Sequence, residues 1–362
     1  MHCFNHISIV GTGLIGGSVG LAVKARLPKV RVTGFDRPDI LRAALQRRAI
    51  DVAAGSLRDA VEFADLIIIA TPIASIPALL PRVARYASAQ AVVTDTASVK
   101  APIIRTAAPL FPDGRFIGGH PMAGTEFSGI RAANPLLFEN AYWILTPTDP
   151  HSTKRQKTLA QFYATLGARV VALTAEEHDA TMAMLSHVPQ LTAVALTRSA
   201  GKLHEASKRH VTLGAGGFRD LTRIASSPFG MWEQILDANR AEVRKALRTM
   251  IRELQTYERS LHRSPGALAT AFRDAARIRE QIPRGMKGFL SPLVEFTAFV
   301  PDKPGMLAKL TTALAREGVN LKDLELLKVR EGRGGTFRIA VESEQDRRCA
   351  ERVVKRLFPE AR

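Results

Sequence analysis

Cysteine is nearly absent from this chain. The 362 residues hold two, Cys3 and Cys349, at opposite ends. They match no metal-ligand or redox spacing, so no disulfide scaffold and no metal site is expected, only two reduced thiols. No run of 18 apolar residues occurs, so no transmembrane helix is expected. The opening Met1-His2-Cys3-Phe4-Asn5 has no basic n-region and no cleavage site, so no signal peptide is expected. Together these features predict a cytoplasmic protein. Acidic residues are also scarce, 34 Asp+Glu against 51 Lys+Arg, which gives a net charge of +17. The basic residues form no single block. They are spread through Arg42, Arg47-Arg48, Lys154-Arg155, Lys208-Arg209, Arg244-Lys245 and Arg347-Arg348, mostly at helix-like spacing on solvated faces. No helix-turn-helix, zinc-finger spacing or aromatic stacking motif accompanies them, so no nucleic-acid partner is expected. The charge instead favours anionic substrates.

What is present is a long, well-patterned chain. Hydrophobic residues make up 46%, and 362 residues exceed one ordinary core. The first half alternates apolar strands with helical stretches. Strands are predicted at Ile7–Val10, Val30–Asp36, Leu66–Ala70, Val92–Asp95, Phe116–Gly118, Tyr142–Leu145 and Arg169–Leu173, with helices between, such as Thr153–Leu166. That alternation predicts a parallel, doubly wound Rossmann-type α/β sheet over residues 1–173. Residues 174–287 carry long helical patterns, Glu176–Ala200, Phe229–His262 and Ala267–Gln281, ending in the linker Ile282–Gly288. Residues 288–362 predict a small α+β module: strand Leu293–Val300, a Pro-Gly turn, helix Met306–Glu317, strands Leu321–Lys328 and Thr336–Val341, and a last helix.

Gly11-Thr12-Gly13-Leu14-Ile15-Gly16 follows the first strand directly and opens a helix, which is the context a dinucleotide-binding turn requires. Gly11 permits the tight turn, Gly13 lets the backbone approach a pyrophosphate, and Gly16 allows close helix–strand packing. The helix N-terminus adds N–H donors and a positive dipole end. Asp36 stands 20 residues after Gly16, at the end of the second strand. Its carboxylate can accept both ribose hydroxyls and repels a 2′-phosphate, which favours NAD over NADP. Arg37 beside it is of the type that accepts a 2′-phosphate and tempers that preference.

Loops at strand ends carry the chemistry of such sheets. Thr71-Pro72 ends the fourth strand. Asp95-Thr96-Ala97-Ser98-Val99-Lys100 follows the fifth. Gly118-Gly119-His120-Pro121-Met122-Ala123-Gly124-Thr125-Glu126 sets a histidine among glycines, where a backbone or ligand comes close. In the helical half, Ser186-His187-Val188-Pro189-Gln190 interrupts a helix, and Pro189 predicts a kink and a local pocket. The bland alternative is a kinked helix with a buried histidine. Gly214-Ala215-Gly216-Gly217-Phe218-Arg219-Asp220 leads into a helix carrying Arg219, a guanidinium suited to a carboxylate. Its alternative is a surface pair with Asp220.

Taken in order, Gly11–Gly17, Asp95–Lys100, Gly118–Gly129, Ser186–Gln190 and Gly216–Asp220 resemble the prephenate dehydrogenase family, and the Gly-Gly-His-Pro-Met-Ala-Gly run is the most specific of them. The C-terminal module resembles an ACT domain, a ferredoxin-like amino-acid-binding fold. It departs from that fold where Pro359 stands in place of a fourth strand.

The resemblance implies NAD-dependent oxidative decarboxylation of prephenate on the way to tyrosine. It makes His120 the acceptor of the substrate hydroxyl's hydrogen bond and Ser98 its orienting partner. Arg219 and His187 hold the substrate, and Thr125 and Glu126 line its entrance. Gly11, Gly13, Leu14, Ile15, Gly16, Asp36, Arg37, Thr71 and Pro72 surround NAD. It also implies an all-helical dimerisation domain and tyrosine as effector of the ACT-like domain. Arogenate dehydrogenase is the near alternative. A β-hydroxyacid dehydrogenase needs a catalytic lysine in the helical half, where Lys202 and Lys208 sit in no matching motif. A non-enzymatic NAD or amino-acid sensor is opposed by the intact His120, Ser98 and Arg219.

Overall fold

The computed structural model describes residues 4–124, 127–148, 153–206, 211–281, 293–330 and 334–359. The chain forms two compact units, Met1–Ile282 and Pro283–Arg362.

The first unit is built on eight strands: β1 His6–Val10, β2 Arg31–Phe35, β3 Val52–Ala53, β4 Leu66–Ile69, β5 Val92–Asp95, β6 Phe116–Pro121, β7 Tyr142–Pro147 and β8 Arg169–Ala172. They lie in the order β3-β2-β1-β4-β5-β6-β7-β8. The central run Leu66-Ile67-Ile68-Ile69 is buried throughout because helices cover both faces of the sheet. One core on each face follows, one around Ile9, Val23, Trp143 and Tyr163, the other around Ile67, Leu80, Val93 and Phe116.

Two differences from the sequence reading bear on the site. Neighbouring strands are parallel except β6 and β7, which are antiparallel. A parallel pair needs a crossover that carries the chain back to the starting end. Between β6 and β7 the described residues hold only a single 3₁₀ turn, Ile130–Ala132, so the chain re-enters the sheet from the end it left. The second difference concerns β6 itself. It extends past Gly118 to Pro121, so His120 is a strand residue opposite Ile144 on β7 and not a loop residue.

The helical part begins at Thr174. Its hydroxyl accepts the amide of Glu177 at 3.1 Å, and the Glu177 carboxylate accepts the amide of Thr174 at 2.9 Å. This reciprocal cap starts the helix Ala175–Met182 and is of a kind that contributes about 1 kcal/mol. The kink expected at Pro189 takes the form of a π-turn over Ala183–His187, where the amide of Val188 reaches back to the carbonyl of Ala183. A proline ring collides with the carbonyl four residues earlier, and a widened turn relieves that collision. The helix then runs on through Val188–Ala206. The single helix predicted over Phe229–His262 is two, Phe229–Ala238 and Arg240–Arg263, broken at Asn239. Asn239 is buried and its side chain bonds elsewhere in the unit, as described below.

The second unit has strands β9 Val294–Val300, β10 Asp323–Arg330 and β11 Gly334–Val341 in an antiparallel sheet ordered β10-β11-β9. The helices Met306–Arg316 and Glu344–Leu357 bring Leu310, Leu314, Ala350 and Val353 against Ala298, Val300, Ile339 and Val341. Among the described residues no fourth strand follows. The expected linker around residues 282–288 lies outside the described residues.

Candidate active site

The glycine turn is shaped by two close approaches. Gly11 has φ +96°, and a Cβ there would stand 2.6 Å from the carbonyl oxygen of Ala70 at the end of β4. A Cβ on Gly16 would stand 1.9 Å from the carbonyl oxygen of Gly11. Only glycine meets either demand. A Cβ on Gly13 would meet nothing within 4 Å, so the backbone there faces open space at the start of the helix Leu14–Arg26. Leu14 and Ile15 form the first helical turn and are partly exposed.

Asp36 closes β2 and is tied to the turn. Its Oδ2 accepts the amide of Thr12 at 2.7 Å, and its Oδ1 accepts the amide of Arg37 at 2.7 Å. The exposed Arg37 guanidinium lies 3.9 Å from Asp39. Thr71 and Pro72 follow β4 on the same rim, with Thr71 Oγ1 accepting from the Ser75 hydroxyl at 2.9 Å. The structure thus gathers all nine predicted nucleotide-contacting residues around the ends of β1, β2 and β4. An open backbone at a helix start beside a strand-end carboxylate fits a dinucleotide with a free 2′-hydroxyl.

His120 stands two strands away along the same sheet. Its Nδ1 lies 2.8 Å from Nε2 of His178, with the rings edge to face at 69°. His178 Nδ1 in turn lies 2.8 Å from Oδ1 of Asp179. The Asp179 carboxylate also accepts the amides of Lys100 at 2.7 Å and Ala101 at 2.8 Å, and so caps the helix Ala101–Ala107 from a different helix. Lys100 is fully buried. Its ammonium pairs with Asp95 and donates to the carbonyl of Gly119 at 2.7 Å. Asp95 completes the lock by accepting the amides of Gly119 at 3.1 Å and Ala97 at 2.9 Å. Gly119, the residue just before His120, is therefore held through both its N–H and its carbonyl.

These surroundings disfavour the charged form of His120. Burial pushes its pKa well below 6.5, and the nearby His178, Lys100 and His187 push the same way. Burial likewise lowers His178, opposed by its bond to Asp179.

His187 ends the π-turn and is 1% exposed. Its Nδ1 lies 3.3 Å from Nδ2 of Asn239, and Trp232 packs against the ring edge to face at 6.0 Å. Burial pushes its pKa down to about 4. The other predicted residues are less drawn in. Ser98 is partly exposed between β5 and the helix Ala101–Ala107, and no hydrogen bond joins it to His120; His178 holds that place. Arg219 is exposed on the helix Gly216–Thr222, with Nε donating to the carbonyl of Gly214 at 2.9 Å. Thr125 and Glu126 lie outside the described residues. A separate open groove of about 680 Å³, walled by Ile73, Pro77, Pro102, Leu191, Phe229 and Arg240, includes none of the histidines.

The sequence reading missed His178, Asp179 and Asn239, and it quoted Asp95 and Lys100 without a role. One signal was available. Thr174 and Glu177 form a capping box immediately before His178-Asp179, so the first turn of a helix presents an acid and an imidazole together.

Comparison with known proteins decides the family. Residues 19–172 match the family model of the prephenate dehydrogenase nucleotide-binding domain, and residues 174–267 match that of its dimerization domain. Residues 295–358 match the ACT domain. The chain belongs to the prephenate dehydrogenase family. It is 34% identical over 356 residues to the prephenate dehydrogenase of Bacillus subtilis, covering 96% of this chain and 95% of that one. Among solved structures it resembles the prephenate dehydrogenase of A. aeolicus in complex with hydroxyphenyl propionate and NAD+. That likeness has a TM-score of 0.70 and 28% identity, over 77% of this chain and 98% of that one. It also resembles the arogenate dehydrogenase of Synechocystis, with a TM-score of 0.67 and 30% identity, over 76% and 100%. Membership makes the chain a dehydrogenase with a nucleotide-binding domain, a helical dimerisation domain and an ACT domain.

Proposed function

We propose that the chain converts prephenate to 4-hydroxyphenylpyruvate and CO₂ with NAD as cofactor, and that His120 is the base. The observation that carries this reading is an imidazole on β6, hydrogen-bonded to His178 and carried by the same sheet as the glycine turn, in a chain of this family. NAD, when bound, supplies the hydride acceptor. Gly11, Gly13, Leu14, Ile15, Gly16, Thr71 and Pro72 would hold its phosphates and nicotinamide side, and Asp36 with Arg37 its ribose. His120 Nε2 takes the proton of the ring hydroxyl as the adjacent C–H bond gives up hydride. The C–C bond to the ring carboxylate then breaks, CO₂ leaves, the released electron pair completes the aromatic ring, and the ring oxygen takes a proton back from His120 Nε2. A general base of this kind contributes roughly 10²- to 10⁴-fold. Ser98 steers the hydroxyl, His187 holds the substrate from the helical side, Arg219 takes a carboxylate, and Thr125 and Glu126 line the entrance.

The same reading makes the protein a homodimer through its helical part, where Leu254, Leu261, Phe272 and Ile278 are exposed. It places the enzyme in the cytoplasm, where Cys3 and Cys349 stay reduced. It also makes tyrosine the effector of the ACT domain. Removing residues 290–362 should then abolish or weaken inhibition by tyrosine, and undiminished inhibition places the effector elsewhere.

The likeness to an arogenate dehydrogenase favours one second reading, arogenate as substrate. The deciding experiment is NADH or NADPH formation with prephenate and with arogenate, each with NAD⁺ and NADP⁺. Prephenate with NAD⁺ should react fastest. Preference for arogenate selects the second reading, and no turnover with either compound removes both.

A further inference from the structure

We propose that His178 and Asp179 are positioning residues that fix which nitrogen of His120 carries the proton. The inference rests on the reading of His120 as the base. A carboxylate has no proton to give, so the bond between Asp179 Oδ1 and His178 Nδ1 at 2.8 Å requires a hydrogen on Nδ1. The neutral His178 ring then offers only a lone pair at Nε2. That lone pair faces His120 Nδ1 at 2.8 Å, so the hydrogen between the two rings belongs to His120. A neutral His120 with its proton on Nδ1 keeps its lone pair on Nε2. That is the nitrogen a base needs free, and it is the tautomer a solvated imidazole favours less. Asp179 is itself immobilised by the amides of Lys100 and Ala101, so the chain of assignments starts from a fixed acceptor. The logic is that of a carboxylate setting a catalytic imidazole's tautomer in hydrolases, with one more ring in series.

The relay also has a consequence for the proton taken up. Once Nε2 is protonated, His120 becomes a cation that still donates from Nδ1 to His178, and Asp179 lies behind His178 to stabilise it. No atom moves, and no rotamer change separates the base from its conjugate acid.

The test uses the full-length enzyme with ¹⁵N-labelled histidine. Wild-type His120, assigned by the signal lost in His120→Asn, should show the proton on Nδ1. His178→Leu removes the acceptor and should move that proton to Nε2. It should also lower kcat by roughly 10- to 100-fold with KM nearly unchanged. His178→Gln, whose amide oxygen can stand where Nε2 stood, should restore both the Nδ1 proton and most of kcat. A wild-type His120 protonated on Nε2 overturns the proposal without recourse to any variant. So does a His178→Leu enzyme as fast as wild type. Failure of the underlying reading looks different: His120→Asn itself would turn over normally, whatever the tautomer.

Discussion

Nδ2 of Asn239 donates to the backbone carbonyl of Asp179 at 2.9 Å and lies 3.3 Å from Nδ1 of His187. The carbonyl can only accept, so it fixes the amide's orientation and leaves a second N–H for the imidazole. His187 therefore accepts at Nδ1 and, being neutral, carries its proton on Nε2. His120 and His187 present opposite faces of the same chemistry, one a lone pair and the other an N–H donor. The break in the helix at Asn239 is what puts this amide in place.

The neutral histidines predict how stability responds to acid. His187 has a folded pKa of about 4 against 6.5 for a free imidazole, and His120 and His178 are shifted the same way. Below pH 6.5 the unfolded chain binds protons that the folded chain refuses, so acid favours unfolding. The contribution is fully present above pH 6.5 and disappears as pH falls towards 4. Urea unfolding between pH 7 and pH 4.5 should show a falling midpoint, with a shallower fall in His187→Gln. Equal slopes in the two proteins would remove His187 from this account.

Lys100 should be a stability residue before it is anything else. Its ammonium is fully buried against Asp95 and the Gly119 carbonyl. Lys100→Met would leave the Asp95 carboxylate buried without its cation, which costs about 3–5 kcal/mol. The urea midpoint should drop accordingly. A loss below about 1 kcal/mol would mean that water reaches Asp95 and that the lock on the His120 strand is loose.

Asp36 should select the cofactor. Asp36→Ser removes the carboxylate beside the glycine turn while a hydroxyl keeps some capacity to accept the Thr12 amide. The ratio of kcat/KM for NAD⁺ over NADP⁺ should fall, and Arg37 is placed to assist the 2′-phosphate. An unchanged ratio would show that another residue discriminates.

Arg219 should act on binding more than on turnover. It is exposed, and its Nε is anchored to Gly214, which leaves the two terminal nitrogens for a carboxylate. Charged hydrogen bonds contribute about 1.5–3 kcal/mol, so Arg219→Ala should raise KM for prephenate roughly 10- to 100-fold with kcat little changed. A normal KM would place the carboxylate elsewhere.

Much of the fold was legible because local patterns and tertiary structure agree. The glycine turn, Asp36 and the run Leu66–Ile69 each carry their own physical reason, and the strands stand within a few residues of their expected positions. The reversal of β7 was not legible, because strand direction depends on where a connection goes and not on what it contains. The extension of β6 through His120 was hidden by glycines that read as a loop. In the site, the histidine and its nucleotide rim were readable from spacing. Its partners were not, because Asp179 meets Lys100 across 79 residues and Asn239 meets His187 across 52. Pairings of that span are set by helix packing and leave no periodic trace.

The most direct measurement is steady-state turnover of prephenate by His120→Asn beside its affinity for NAD⁺. The account predicts a kcat at least about 10²-fold below wild type with the NAD⁺ dissociation constant nearly unchanged. A His120→Asn enzyme that turns over prephenate at the wild-type rate would contradict it.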